Sequence, residues 1–444
     1  MVSISSDSAL PHSVDLESHG CLMGDKPTTP LTDSDIDKIV ERKLHSNNFR
    51  VLNWSLDSLA ETNGFLGSYY ILTVTVKADD KSTELKFFAK TPPPIGSTQY
   101  NFLIQHNTFN KEITVYNDLI PMIGRGKGLK WVPDYYLGKN NTIIVLENAI
   151  VSGYETLNKY VPFDVEHCIL TVRSLAIFHS RCLILDEKLR RSTGQTIMDY
   201  FGHVLVEVGF LENDPLARQY RYACSVAACA LVDFLEDITE DQRSVLKKRI
   251  SKWIEMMPKL LESSTKFRNL ICHRDIWVNN ILFKKDSTGK PIGCYIIDYQ
   301  FIRYSPPATD FILSLYLNTS RVVRKENFDF FVDVYCDTMQ SELASEGLDM
   351  QECLPRAEFV ESCQQLRNMA LIYCIMNLQI MLLSKEAVDK YFAGSMDGME
   401  DVMYGDRRVE LVLSQCRSMK AYQTRLIDIL EEIKEHLPDN PANC

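Results

Sequence analysis

The sequence predicts an α+β fold of two lobes, a small, mainly antiparallel β lobe followed by a large helical one. Three observations point there. Two apolar stretches, Ile71 to Val76 and Leu85 to Ala89, flank the charged turn Asp79-Asp80-Lys81 and read as paired strands. From Val165 onward, apolar residues recur at helical spacing through most of the chain. Within that helical half, Ile271 to Phe311 holds two more short strands with polar residues clustered at their ends.

A chain of 444 residues has room for two or three lobes and a large core. Its formal charge of -11 and the lack of a basic run argue against a nucleic-acid partner. No unbroken apolar run looks long enough to span a bilayer, and the first residues lack the basic-then-apolar order of a signal peptide. The 13 cysteines are odd in number, scattered through apolar runs and never paired as C-x-x-C, as expected of free thiols in a reducing compartment, hence the cytoplasm. No protein partner is evident.

Residues 1–30, rich in Ser, Asp, Gly and Pro, are expected to form a flexible tail. A helix is predicted from Thr32, Asp33 or Ser34, turning Ile36, Ile39, Val40 and Leu44 inward. The run NGFLGSYY, with Gly64, Gly67 and Ser68, precedes the first predicted strand. Two glycines there permit a tight turn whose backbone can approach a phosphate. Lys90 ends the strand Phe87-Phe88-Ala89 and must place its charge either in solvent or on a partner. Glu112 is the candidate partner, because it lies beside the inward face formed by Phe109, Val115 and Tyr116. Thr142 to Leu146 reads as a strand ended by Glu147-Asn148. The boundary between the lobes, 31–147 and 148–444, is placed there.

In the second lobe, helices are expected at Val165 to His179, Tyr200 to Phe234 and Gln242 to Leu261. His179 is expected to be a satisfied histidine within the packing. Then comes ICHRDIWVNNILF, in which His273, Asp275 and Asn280 precede the strand Ile281 to Phe283. A turn leads to a second strand, Cys294 to Ile297, that ends in Asp298. The pattern H-x-D-x-x-x-x-N, an apolar strand and I-I-D is the catalytic-loop and metal-aspartate signature of the protein-kinase-like fold. Phosphoryl transfer needs that set: a carboxylate to orient or deprotonate a hydroxyl, and an Asn and an Asp to hold Mg²⁺ on nucleotide phosphates. In that arrangement Lys90 contacts the phosphates and Glu112 holds Lys90. Asp310 is a candidate acceptor of backbone N–H bonds from the catalytic loop, or else a helix N-cap.

Helices are then predicted at Phe311 to Leu317, Asn327 to Glu346, Arg356 to Leu383 and Arg407 to His436. Ala370 to Leu383 is apolar nearly all round and reads as a buried core helix. Asp298 is followed by Tyr-Gln rather than Phe-Gly, and only eleven residues separate it from Asp310. That leaves little room for the long segment on which a protein kinase docks a peptide, so an enclosed small-molecule site is expected.

With these motifs in hand, the chain resembles the ecdysteroid kinase-like family, a branch of the choline kinase and aminoglycoside phosphotransferase group found mostly in insects. The resemblance rests on FFAK at Lys90, NKEITVY at Glu112, VLENAIVSGY at Glu147, CHRDIWVNNILF, IIDYQFIRY at Asp298 and PPATDF at Asp310. It implies that Lys90, kept in place by Glu112, holds the ATP phosphates, and that the Glu147 region holds adenine. It also implies that Asp275 activates the acceptor hydroxyl, that Asn280 and Asp298 bind Mg²⁺, and that Asp310 braces the loop. Arg274 stands where the family often has Gly, and Asn148 where Asp is more usual. The implied activity is transfer of the ATP γ-phosphate to a hydroxyl of an ecdysteroid or similar apolar alcohol, in hormone metabolism or detoxification. Choline-like, aminoglycoside-like or plant-derived acceptors, and a silent nucleotide- or hormone-binding protein, are the alternatives.

Overall fold

The computed structural model describes residues 30–59, 66–79, 81–393 and 396–439. The predicted N-terminal tail lies almost entirely outside them. Five strands, β1 (Arg50–Ser58), β2 (Ser68–Ala78), β3 (Lys81–Thr91), β4 (Tyr135–Lys139) and β5 (Ile143–Glu147), form one antiparallel sheet in the order β1-β2-β3-β5-β4. Strands β2 and β3 make the predicted hairpin in continuous register from Ser68↔Thr91 to Ala78↔Lys81, longer at both ends than their apolar runs. Asp79 turns the chain with a φ of 47°, a left-handed conformation that Asp tolerates better than most residues.

One face of the sheet buries Leu72, Val74, Val76, Phe87, Ala89, Ile143 and Val145 against Ile36, Ile39 and Val40 of the helix Asp33–Leu44. That helix begins as the sequence predicts, because Thr32 and Asp35 cap each other: the Thr32 N–H donates to Asp35 Oδ2 at 2.8 Å and the Asp35 N–H to Thr32 Oγ1 at 3.3 Å. Strands β1 and β4 are not foreseen. β1 is an edge strand, largely exposed, with an irregular register between Val51 and Asn53, so it carries no clean period-two pattern.

The rest of the chain is mostly helical, with two small sheets set into it. β6 (Tyr154–Thr156), β8 (Ile281–Lys285) and β9 (Pro291–Ile296) pair in the order β6-β8-β9, and β7 (Leu270–Cys272) pairs with β10 (Arg303–Ser305). The β7–β8 loop carries Asp275 and Asn280, and the β9–β10 loop carries Asp298. Antiparallel pairing of β8 with β9, and of β7 with β10 at Cys272↔Arg303, therefore sets the two loops side by side.

Three predicted helices are broken. Tyr200 to Phe234 is a short helix, Ile197–Phe201, with a 3-10 turn at Gly202–Val204, then an irregular stretch to Asp214, then the helix Pro215–Leu231 and a 3-10 turn at Val232–Phe234. Asp214 caps that helix and Pro215 starts it, which is why it cannot extend backward. The segment from Gln242 divides into Glu240–Glu255 and Met257–Leu260, with Pro258 starting the second piece, and the C-terminal segment into Arg407–Ser418 and Lys420–His436. Ala370 to Leu383 is the buried helix expected, although it begins at Arg356 and ends at Met381.

By length and composition, Val165–Thr193 passes the test for a membrane-crossing helix, contrary to the sequence reading, and Arg356–Met381 passes it only jointly with Lys385–Phe392, from which it bends by 81°. In Val165–Thr193, 78% of the apolar window is buried inside the fold, and Cys168, Val172, Leu175, Phe178 and Leu183 belong to the main core. It is a core helix. The cysteines among the described residues are free thiols, most of them buried.

Candidate active site

Lys90 leaves the end of β3 into a pocket between the sheet and the two small-sheet loops. Its Nζ lies 2.7 Å from Glu112 Oε2 and 2.8 Å from Asp298 Oδ1. Glu112 comes from the helix Thr108–Thr114 and is 2% exposed at the side chain, against 5% for Lys90. Burial works against the ammonium, but the carboxylates of Asp298 and Glu112 outweigh it and hold the Lys90 pKa above its usual value. Tyr69, opposite Lys90 on β2, and Gly67 pack beside it. A Cβ on Gly67 would stand 3.2 Å from Lys90 Cε and 3.3 Å from Cγ, so any side chain there would press on the Lys90 stem.

Asp275 and Asn280 face each other within the β7–β8 loop. Asn280 Nδ2 donates to the Asp275 carbonyl at 2.9 Å and to Asp275 Oδ2 at 2.8 Å. Both amide hydrogens are thereby used, which leaves Oδ1 as the donor atom for a cation. Burial and then the Asp298 charge raise the Asp275 pKa to about 7. A carboxylate tuned to that value suits a general base at neutral pH.

The loop is held from beneath. Asp310 accepts the His273 N–H at 2.6 Å and the Arg274 N–H at 2.7 Å, and His179 Nε2 lies 3.2 Å from the same carboxylate. Asp310 sits in the first turn of the helix Ala308–Asn318, whose N-cap, Pro307, has no side-chain bond, so Asp310 serves the loop rather than capping the helix. The other nitrogen of His179 lies 2.8 Å from the Tyr335 hydroxyl, making it the satisfied interior histidine the sequence predicts. His273 Nε2 lies 2.9 Å from the Ile297 carbonyl and its Nδ1 accepts the Asp275 N–H at 3.2 Å, so one neutral ring joins the two loops. Asp298 itself has a φ of 69°, the left-handed conformation that Asp tolerates better than most residues, at the turn out of β9.

Lys90, Glu112, Asp275, Asn280 and Asp298 line one cavity of about 580 Å³. The strands β2, β3, β5 and β8 add Tyr69, Ile71, Phe88, Leu146 and Leu282 to its lining, and the helical part of the chain adds an apolar and aromatic set, Phe210, Tyr220, Tyr373, Phe392, Met399 and Met403.

A model of the ecdysteroid kinase-like family matches residues 62–347. The chain belongs to this family. No curated protein matches the chain. Among solved structures it is similar to the GDP and kanamycin complex of APH(2")-IIia (15% identity, 87% of this chain and 94% of that one, TM-score 0.38). It is also similar to a microcompartment-associated aminopropanol kinase (13% identity, 87% and 99%, TM-score 0.36). A third is the GDP complex of wild-type aminoglycoside 2'-phosphotransferase-IIIa (14% identity, 89% and 96%, TM-score 0.29). Likenesses this remote say nothing of substrate.

Within the family frame, the structure brings together Lys90, Glu112, Asp275, Asn280 and Asp298. Gly64 lies outside the described residues, and Ser68, first residue of β2, is not among the cavity-lining residues. Glu147 lines the cavity, but its carboxylate accepts from Lys130 Nζ at 2.7 Å, from the Asp134 N–H at 3.1 Å and from the Ser152 hydroxyl. The Glu147 N–H is also used, donating to the Asp134 carbonyl at 2.7 Å. Asn148, one residue on, accepts the N–H groups of Ile150 and Val151 at 3.1 and 3.3 Å and so caps a turn.

Three residues that sequence reading leaves unassigned also meet here. Glu207 accepts from Arg274 Nη1 at 2.8 Å and from Arg303, and its other oxygen accepts the N–H groups of Gly209 and Phe210, each at 2.9 Å. Only Arg274, by its departure from the family's Gly, signals this in the sequence.

Proposed function

We propose that the chain is an ATP- and Mg²⁺-dependent small-molecule kinase that transfers the γ-phosphate to a hydroxyl of an ecdysteroid or similar apolar alcohol. What carries this reading is one cavity that is lined at once by Asp275, by the Lys90–Asp298 pair and by a set of aromatic and methionine side chains. A steroid-like skeleton buries its surface on such a wall, and a hydroxyl at its edge reaches the carboxylate.

Each step falls to a named group. Lys90, fixed by Glu112, binds phosphate oxygens. Asn280 and Asp298 fit a hard cation, since they offer two oxygen donors at the cavity and the nucleotide and water can complete its shell. The bound Mg²⁺ would supply charge neutralisation on the phosphates. Asp275 accepts the hydroxyl proton as the alcohol oxygen bonds to the γ-phosphorus and the bond from that phosphorus to the β-phosphate oxygen breaks. The products are a phosphomonoester and ADP. The apolar wall excludes water, so the alcohol rather than water attacks.

The test is ATP consumption with Mg²⁺ across ecdysteroids, choline, ethanolamine, aminoglycosides and hydroxylated plant metabolites, with products identified by mass. A phosphorylated ecdysteroid or comparable apolar alcohol is expected, and Asp298→Ala should abolish its formation. Preference for quaternary amines or aminoglycosides would move the acceptor class. Nucleotide binding without turnover of any acceptor would overturn the enzymatic reading.

A further inference from the structure

Arg274 has a φ of 75°, in the region that glycine adopts freely and other residues adopt at a cost. It also lies beside the base Asp275 and is almost fully buried. A long cation held in a strained backbone and out of solvent needs strong compensation from its surroundings. Its Nη1 donates to Glu207 Oε2 at 2.8 Å, and its guanidinium lies 5.7 Å from the ring centre of Phe210 and 5.8 Å from that of Tyr373. Both rings line the cavity, in the aromatic set that the proposed function gives to the acceptor, its acceptor end.

Glu207 belongs to the stretch between the helices Ile197–Phe201 and Pro215–Leu231. It also binds Arg303, just after the Asp298 turn, and folds its own loop by accepting from Gly209 and Phe210. One residue earlier, the Val206 carbonyl accepts from Lys111 Nζ at 2.7 Å, and Lys111 adjoins Glu112. The loop from Val206 to Phe210 is therefore tied to the catalytic loop, to the segment after the metal aspartate and to the helix that holds Lys90. Lys111, Arg274 and Arg303 converge on this loop, and two of them share the one carboxylate of Glu207.

We propose that Arg274 is a positioning residue for the acceptor: with Glu207 it straps the Val206–Phe210 wall of the acceptor end to the loop carrying Asp275. This rests on reading the cavity as a kinase site. The strap sets where a bound alcohol presents its hydroxyl to Asp275, and it leaves the phosphate-binding groups to Lys90 and Asp298.

The test uses the full chain with Arg274→Gly and Glu207→Gln. Glycine suits the backbone at position 274, which offsets part of the loss of the buried ion pair, so Arg274→Gly is expected to fold. Glu207→Gln keeps size and one acceptor oxygen, which guards against a folding failure in the first variant. Hydrogen exchange of the amides in 205–214 is expected to speed up roughly tenfold or more in both variants while those of β2 and β3 keep their protection. With an accepted alcohol, its KM is expected to rise about fivefold or more relative to the KM for ATP. Unchanged exchange in both variants overturns the strap, and faster exchange with an unchanged ratio of the two KM values overturns the positioning role. Wild-type protein that turns over none of the alcohols sinks the kinase reading, and exchange alone then decides the strap.

Discussion

The Lys90 ammonium lies 2.8 Å from the Asp298 carboxylate, although 208 positions separate them in the chain. The same Nζ also meets Glu112 at 2.7 Å. One cation therefore joins the five-stranded sheet, the helix behind it and the end of β9. Both bonds are largely shielded from water, so removing one partner leaves a charge uncompensated and costs more than breaking a surface pair.

Lys90→Met should remove that junction and leave two neighbouring carboxylates without their cation. A loss of about 3–5 kcal/mol of unfolding free energy is expected in urea, along with a fall in turnover of about a hundredfold or more. Lys90→Arg should rescue neither fully, because a planar guanidinium cannot occupy the place of the compact ammonium. Wild-type stability of Lys90→Met would show that the pair does not hold the fold.

Asp275 gives a pH signature. With its pKa raised to about 7 by burial and by Asp298, the carboxylate is protonated in mildly acidic solution. For the free enzyme, kcat/KM should rise with pH through about 7 and then level off. Asp275→Asn should lower kcat by about 10²–10⁴-fold.

The same shift has a stability sign. A raised native pKa contributes stability that is present in full below the unfolded value, about 3.9 for Asp, and is lost as pH rises through about 7. Asp275→Asn should therefore melt above wild type at pH 8.5, and the gap should shrink steadily toward pH 4. Melting temperatures measured across that range decide it, and a gap that does not depend on pH would refute the assigned shift.

Asp310 tests the brace. Asp310→Ala leaves the buried N–H groups of His273 and Arg274 without their acceptor, at about 1–3 kcal/mol each. Asp310→Asn keeps one oxygen and should fall between Ala and wild type in thermal melting. Equal melting of the two variants would mean that the loop finds other partners.

Gly67→Ala isolates the phosphate side. Its methyl group would press on the Lys90 stem at 3.2–3.3 Å, so the KM for ATP should rise several-fold with little change in the KM for the acceptor. Steady-state kinetics with each substrate varied in turn read the two apart.

Much of this was legible beforehand because it is local. The spacing of Asp275 and Asn280 before a strand, Asp298 after the next strand, and the helical repeats from Val165 onward all sit within short windows. Hairpin pairing then brings such residues together without distant help. The Thr32–Asp35 capping box is local in the same way. Helix ends were legible only where a cap or proline was weighed, and the Asp214-Pro215 start passed unread inside an apolar pattern.

The sequence by itself determined the order of sheet and helical parts and the short-range motifs that carry Lys90, Asp275, Asn280 and Asp298, because each is encoded in residue type at short range. Tertiary structure alone decided that β1 and β4 complete the sheet, that Glu147 spends its carboxylate on Lys130, and that Glu207 joins Arg274 and Arg303 at the cavity lining. Those outcomes depend on which surfaces are pressed together once the core closes. A carboxylate 67 positions from its guanidinium partner leaves no periodic trace in the chain. Apolar side chains at helical spacing look the same whether they end in the core, as Phe178 does, or line the cavity, as Tyr373 does.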